Sequence, residues 1–217
     1  MDQKKLDQQS QHWEINFSNK PEMFGLEPSY SAKIALEFFK KNNIRNIIEL
    51  GAGLGRDCIF FADNLINTIA IDNSFSGIKI INEKIKKLNL SKYISTQVFD
   101  IRKKLPFEDN SIDACYSHML YCMALTDSDL ENLNKEIWRV LKPNGLNIYT
   151  VRNTSDGDYK NGVHRGENLY ENDGFIIHFF SKDKVNQLLN GFKNLKIENC
   201  EEGSFPRKLF IVINKKI

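Results

Sequence analysis

The chain has no long apolar run. A membrane-spanning helix needs about 20 consecutive apolar residues, and no stretch approaches that. Cysteine is sparse: Cys58, Cys115, Cys122 and Cys200 lie far apart and form no C-x-x-C pair. That spacing argues against a disulfide framework and against zinc held by thiolates. No metal site is expected, and the cysteines read as small buried hydrophobes. Charge of one sign is also missing. Lys and Arg number 30 against 28 Asp and Glu, a net charge of +2. That is too little to draw the chain to nucleic acid or to an anionic membrane. Residues 1–9 are polar and hold no apolar signal-peptide core, so the expected location is cytoplasmic. Internal repeats and low-complexity linkers are absent too.

What is present is an ordinary globular composition. The 217 residues are 41% hydrophobic and 27% charged, enough for one domain with a sizeable core. The chain is organised around residues 44–57. Residues 44–50 form an apolar run that predicts a buried parallel strand. Gly51, Gly53 and Gly55 follow at alternate positions, and Cys58-Ile59-Phe60-Phe61-Ala62 opens a helix. Glycine in such a turn permits positive φ and lets a ligand touch the main chain. The helix start behind it offers unpaired N–H groups. The dinucleotide fingerprint G-x-G-x-x-G would need a third glycine where Arg56 stands.

Beyond this point strand and helix alternate. Strands are expected at residues 67–72, 94–99, 112–117, 146–151, about 195–200 and 209–213. One helix starts at Pro28-Ser29 with Ile34, Ala35, Phe38 and Phe39 inward. A second spans about 74–88, with Phe75, Ile78, Ile81, Ile85 and Leu88 at helical spacing. A third follows Thr126, with Asp129 in the capping-box position, and a fourth is capped near Ser181. No helix separates the last two strands, which predicts antiparallel pairing. The expected fold class is a three-layer αβα sandwich, a mostly parallel seven-stranded sheet with a C-terminal antiparallel hairpin. Residues 1–43 read as an N-terminal helical cap or lid, and 44–217 as a Rossmann-like core of the same domain. The first ten residues read as unstructured. Residues 152–173 read as a long polar loop of the kind that covers a substrate.

The run Glu49-Leu50-Gly51-Ala52-Gly53-Leu54-Gly55-Arg56-Asp57 resembles motif I of class I S-adenosylmethionine-dependent methyltransferases. Its Gly-Arg-Asp ending is most similar to the thiopurine and tellurite-resistance branch. The closing hairpin is also typical of that class. The resemblance implies S-adenosyl-L-methionine as cofactor and methyl transfer to a small-molecule acceptor by direct in-line displacement.

In open α/β sheets ligands bind at the carboxyl ends of the strands. Here five consecutive expected strands end in polar groups: the glycine loop, Asp72-Asn73, Asp100-Ile101, Ser117-His118 and Arg152-Asn153. Under the resemblance, Glu49, Gly51, Ala52 and Gly53 hold the amino-acid end of the cofactor. Gly55, Arg56 and Asp57 support the loop and touch the cofactor. Asp72 takes the ribose diol, with Asn73 beside it as a further cofactor-binding candidate, Asp100 and Ile101 take the adenine, and Ser117 lies on the same rim. His118, whose ordinary pKa suits neutral pH, and Arg152 are the catalytic candidates. His118, Tyr121, Arg152, His164 and His178 are the candidates for holding a polar or anionic acceptor. Plainer readings stand beside these: Asp72 as a helix cap, Asp100 as a turn residue, Asp57 at a helix start, His118 as structural. Rival functions are a non-catalytic S-adenosylmethionine-binding protein, a protein or RNA methyltransferase, and an NAD-dependent oxidoreductase. Arg56 and the hairpin argue against the last. The strand at 112–117 is not followed by the Asn/Asp-Pro-Pro-aromatic or Pro-Cys signatures of nucleic-acid base methyltransferases.

Overall fold

The computed structural model describes residues 2–203 and 207–217. In chain order the elements are α1 (Gln3–Asn19), α2 (Tyr30–Lys41), β1 (Asn46–Leu50), α3 (Arg56–Asp63), β2 (Asn67–Asp72), α4 (Phe75–Leu88), β3 (Ile94–Val98) and β4 (Ile112–Ser117). They continue with α5 (Asp127–Val140), β5 (Leu141–Arg152), β6 (Val163–Gly166), β7 (Leu169–Asn172), β8 (Phe175–His178), α6 (Lys182–Gln187), β9 (Phe192–Glu202) and β10 (Arg207–Lys216).

Ile47, Ile48 and Leu50 of β1 are all buried, because the strand is central and has no solvent face. It pairs in parallel with β2 on one side and β4 on the other. β3 adds to β2 and β5 to β4, also parallel. β10 returns antiparallel between β5 and β9. The sheet order is therefore β3-β2-β1-β4-β5-β10-β9, as expected of a three-layer class I methyltransferase fold. Alternation along each strand serves two cores. Ile47, Ala114 and Ile148 meet Ala32, Ala35 and Phe39 of α2 and Phe61 of α3. Ile48, Cys115 and Tyr149 meet Leu130, Leu133 and Ile137 of α5 and Val185 of α6. Ile78, Ile81 and Ile85 of α4 pack with Cys58, Ala62 and Ala70.

Side-chain caps start most helices: Ser29 for α2, Ser74 for α4, Ser181 for α6, and a full Thr126–Asp129 capping box for α5. α3 differs. Its cap is Gly55 in the left-handed region, with no side-chain bond, so it springs directly from the glycine loop.

Three expectations are corrected. Residues 3–10 are helical rather than unstructured: Asp2 caps α1 through the Lys5 N–H, and Leu6 is buried with Leu169 and Ile176. Those partners lie far along the chain, so the polar stretch gives no hint of them. Residues 152–173 are not all loop. β6, β7 and β8 form a separate three-stranded antiparallel sheet. Asn172 pairs with Phe175 across Asp173-Gly174, both at positive φ, the geometry of a two-residue hairpin turn. The path from β3 to β4 contains no helix, so the alternation of strand and helix breaks there. The turn expected between the last two strands includes residues 204–206, which lie outside the described residues.

Candidate active site

The glycine loop uses its donors internally. The N–H groups of Gly51 and Ala52 both donate to the Ile71 carbonyl, at 2.8 and 3.0 Å. The Gly53 N–H donates to Asp72 Oδ2 at 2.7 Å. The amides expected to meet a ligand are thus occupied by β2. Gly51 has φ +74°, and a Cβ there would stand 3.0 Å from Leu120. Gly55 serves packing: a Cβ would sit 2.8 Å from Ile81 of α4, and the residue does not line the cavity.

Above the loop lies a cavity of about 630 Å³, inside the roughly 300–1,000 Å³ range of small-molecule sites. Gly51, Ala52, Gly53, Arg56 and Asp57 line it, as do Asp72, Asn73, Asp100 and Ile101. Glu49 also faces it and is buried, with Oε2 lacking any partner. Burial, then the negative charge of Asp57, pushes the Glu49 carboxyl well above the usual range. Asp72 accepts from the Ser74 N–H at 2.9 Å as well as from Gly53. Desolvation raises its carboxyl against those bonds. Asp100 is held by the Arg102 guanidinium, which also reaches Asp7 of α1. Burial opposes ionisation of Asp100, but Arg102 wins and lowers its pKa.

The opposite end mixes apolar walls from Met119, Leu120, Phe175 and Ile177 with His118, Arg152, Glu202 and Arg207. Both nitrogens of His118 are engaged. Nδ1 lies 3.0 Å from Ser31 Oγ and 3.1 Å from Thr150 Oγ1, and Nε2 lies 3.1 Å from Glu202 Oε2. Arg56 Nη2 donates to Glu202 Oε1 at 3.0 Å. Burial would raise Glu202, but the hydrogen bond and charge of His118, with Arg56, hold it at about 2. Arg152 is buried between Asp156 and Asp158 and lies over the Phe179 ring. Asp57 anchors α2: it accepts from the Ser29 N–H at 2.8 Å, the Ser29 hydroxyl at 2.7 Å and the Tyr116 hydroxyl at 2.9 Å.

Four other expected site residues lie off the cavity. Tyr121 is fully buried and stacked on Tyr149 at 4.2 Å, its hydroxyl accepting from Asn147. Ser117 is fully buried with an unpartnered Oγ. His164 is on the exposed face of β6, against Tyr170 and the Glu167 carbonyl. His178 is fully buried behind the wall, with Nδ1 on the Leu125 carbonyl. Side-chain alternation explains the last case: Ile177 faces the cavity, so its neighbour His178 faces away. Conversely, the sequence reading missed Glu202 and Arg207, which flank the closing hairpin turn, and Glu14 of α1. The Glu14 carboxylate accepts from the Ser76 N–H at 3.1 Å and from the hydroxyls of Ser74 and Ser76. No local pattern marks these three; Glu202 and Glu14 meet partners far along the chain, at the starts of α3 and α4 and after β4.

Comparison with known proteins decides the class. Residues 48–149 match the methyltransferase domain family. These residues form a class I, S-adenosylmethionine-dependent methyltransferase domain. Among curated relatives, a sterol 24-C-methyltransferase of Aspergillus fumigatus is 30% identical over 181 residues, covering 79% of this chain and 46% of that protein. Phosphoethanolamine N-methyltransferase 1 of Triticum aestivum is 33% identical over 133 residues, 61% of this chain and 24% of that protein. The chain spans less than half the length of these relatives. In fold, it superposes on the Burkholderia thailandensis 1,6-didemethyltoxoflavin-N1-methyltransferase, solved with its acceptor and S-adenosylhomocysteine. The TM-score is 0.77 at 12% identity, over all of this chain and 90% of that one. A Methanosarcina mazei methyltransferase gives 0.69 at 19% identity, over 79% of this chain and 92% of that one. The methyltransferase domain's donor set suits its cofactor. S-adenosylmethionine carries a cationic amino group, a sulfonium, a ribose diol and adenine. The cavity presents an orphaned carboxylate at Glu49, further carboxylates at Asp72 and Asp100, and apolar surface at Ile101.

Proposed function

We propose that the chain transfers a methyl group from S-adenosylmethionine to a small-molecule acceptor held in the same cavity. The observation that carries this reading is Glu49, a buried carboxylate with a free oxygen beside a loop whose amide donors are consumed. Such a site suits a cation and disfavours a phosphate, which needs those amides. Glu49 therefore orients the cofactor's amino group. Asp72 keeps acceptor capacity for the ribose hydroxyls beyond its two backbone bonds. Asp100 and Ile101 hold the adenine.

When bound, S-adenosylmethionine supplies a methyl group on a positively charged sulfur. The protein's share is alignment and exclusion of water. Proximity alone accounts for about 7–11 kcal/mol in well-oriented reactions. Residues 1–43 act as a cap. Glu14 joins α1 to the start of α4, Asp7 joins it to Arg102 after β3, and Gln9 joins it to Gly174 and Ile176 at the β7–β8 turn. Trp13, Phe17 and Phe24 form the apolar underside. With both ring nitrogens engaged, His118 acts by positioning Glu202, and Arg152 acts through its bonds to Asp156 and Asp158. The mixed apolar and charged far end favours a small organic acceptor carrying a polar group. The Gly55-Arg56-Asp57 ending supports a place near the thiopurine and tellurite-resistance branch.

Calorimetric titration with S-adenosylmethionine and S-adenosylhomocysteine, with NADH as control, tests the cofactor assignment; an acceptor screen then tests turnover. Micromolar binding of the two sulfur compounds alone supports the reading, and binding of NADH alone sinks it. Asp72→Ala should weaken cofactor binding by about 1.5–3 kcal/mol, the worth of hydrogen bonds to a charged acceptor.

A further inference from the structure

Behind the acceptor wall, three ligand-type side chains converge from separate parts of the chain. They are Asp127 at the start of α5, Glu167 in the β6–β7 turn and His178 at the end of β8. One ligand atom from each lies within 4.8 Å of the others. His178 is fully buried. Its Nδ1 lies 2.7 Å from the Leu125 carbonyl, and a carbonyl can only accept, so Nδ1 carries the proton. In the neutral ring the lone pair is then on Nε2. That atom has no hydrogen-bond partner and lies 3.4 Å from Asp127 Oδ1. Two acceptors thus lie close together, with the Glu167 carboxylate, which accepts from the Asp127 N–H at 2.9 Å, beside them, and a cation shared with Asp127 would satisfy the orphaned Nε2. Lys184 Nζ contacts Asp127 but leaves Nε2 unsatisfied.

We infer that Asp127, Glu167 and His178 form a binding site for a first-row divalent metal, zinc being the best match. Imidazole nitrogen and carboxylate oxygen are both zinc ligands, and imidazole selects against magnesium and calcium. Three features oppose it. Lys184 competes for Asp127, the Asp127 N–H already holds Glu167 Oε2, and the α5 N-terminus is electropositive. Metal binding therefore displaces the Lys184 ammonium. Leu125 and Ile177, neighbours of these ligands in sequence, line the cavity. The metal's part is accordingly structural: it ties β8, the β6–β7 turn and α5 together as a brace, away from the methyl-transfer chemistry. This inference stands independently of the proposed reaction.

The test uses tag-free, chelator-treated full-length protein. Zinc, manganese and magnesium are titrated against a chromophoric competitor at pH 7.5, and bound metal is counted by elemental analysis. The expected result is one zinc per chain in the micromolar range or tighter, with no magnesium bound. Affinity should fall more than about tenfold in His178→Gln and in Glu167→Gln, and rise in Lys184→Gln. Glu167 is exposed, so its variant reads the site even if loss of His178 disturbs folding. Zinc binding that survives both ligand variants, or no binding by wild type, overturns the inference. So does nitrogen NMR showing His178 doubly protonated at pH 7.5, which would make it an ion pair with Asp127.

Discussion

Glu49 shows the cost of burying a carboxylate beside the glycine loop. In an unfolded chain it titrates near 4.5, and in the folded protein burial holds it well above that. Between those two values the folded state binds more protons than the unfolded one, so this group's contribution to stability falls as pH rises through the window. Glu49→Gln removes that dependence. The variant should be more stable than wild type above about pH 5, by roughly 1.4 kcal/mol for each pH unit the carboxyl is held up. Urea unfolding across pH checks this, and a pH-independent difference would refute it. The same variant should bind S-adenosylmethionine more than about tenfold more weakly, the effect of one lost charge-assisted contact. Under the proposed cofactor role, Glu49 ionises to meet the amino group. Cofactor binding should therefore release a proton, seen as a heat that depends on the buffer's ionisation enthalpy.

At the scale of elements, the site is held by contacts between segments that no local pattern links. Glu202, at the end of β9, joins Arg56 of α3 and His118 after β4. Its carboxyl is held at about 2 against 4.5 in the free side chain. The stabilisation is therefore present above about 4.5 and lost as pH falls toward about 2. Glu202→Gln should cost on the order of 1 kcal/mol at pH 7, discounted for partial exposure. That difference should shrink in acid, as paired denaturation curves would reveal. The strap α1 makes a second prediction. Glu14→Gln weakens its attachment at Ser74 and Ser76, so cofactor should dissociate several-fold faster while the unfolding midpoint hardly moves; stopped-flow release measures this. How far these elements could be read beforehand varies. The turn Asp173-Gly174 is a plain hairpin signal, yet strands of four residues are too short for alternation to stand out. α1 was obscured for a different reason. Only Leu6 and Phe17 are buried along its 17 residues, so its helical period scarcely shows.

For the whole molecule, ligand binding and folding are linked. At a hundredfold excess over the dissociation constant, S-adenosylmethionine should stabilise the protein by about 2.7 kcal/mol. For a chain of this size that is roughly 5–11 °C in Tm. Thermal unfolding with S-adenosylmethionine, S-adenosylhomocysteine and NADH reads it directly; equal shifts with all three would contradict a selective site. The amino-acid sequence determined the seven strands of the main sheet, the glycine turn, the helix caps and the polar strand ends, because periodicity and turn chemistry act within a few residues. Strand order then carried Asp72, Asp100 and Arg152 to one rim. Tertiary structure decided which polar groups meet. Arg56 and Glu202 are 146 residues apart, and Gln9 and Gly174 are 165 apart. Such pairs depend on how the sheet closes and on where α1 and β8 come to rest. For the same reason His178 faces away from the cavity while Ile177 beside it lines the wall: the pleat sends neighbouring side chains to opposite faces, and only packing settles which face is inside.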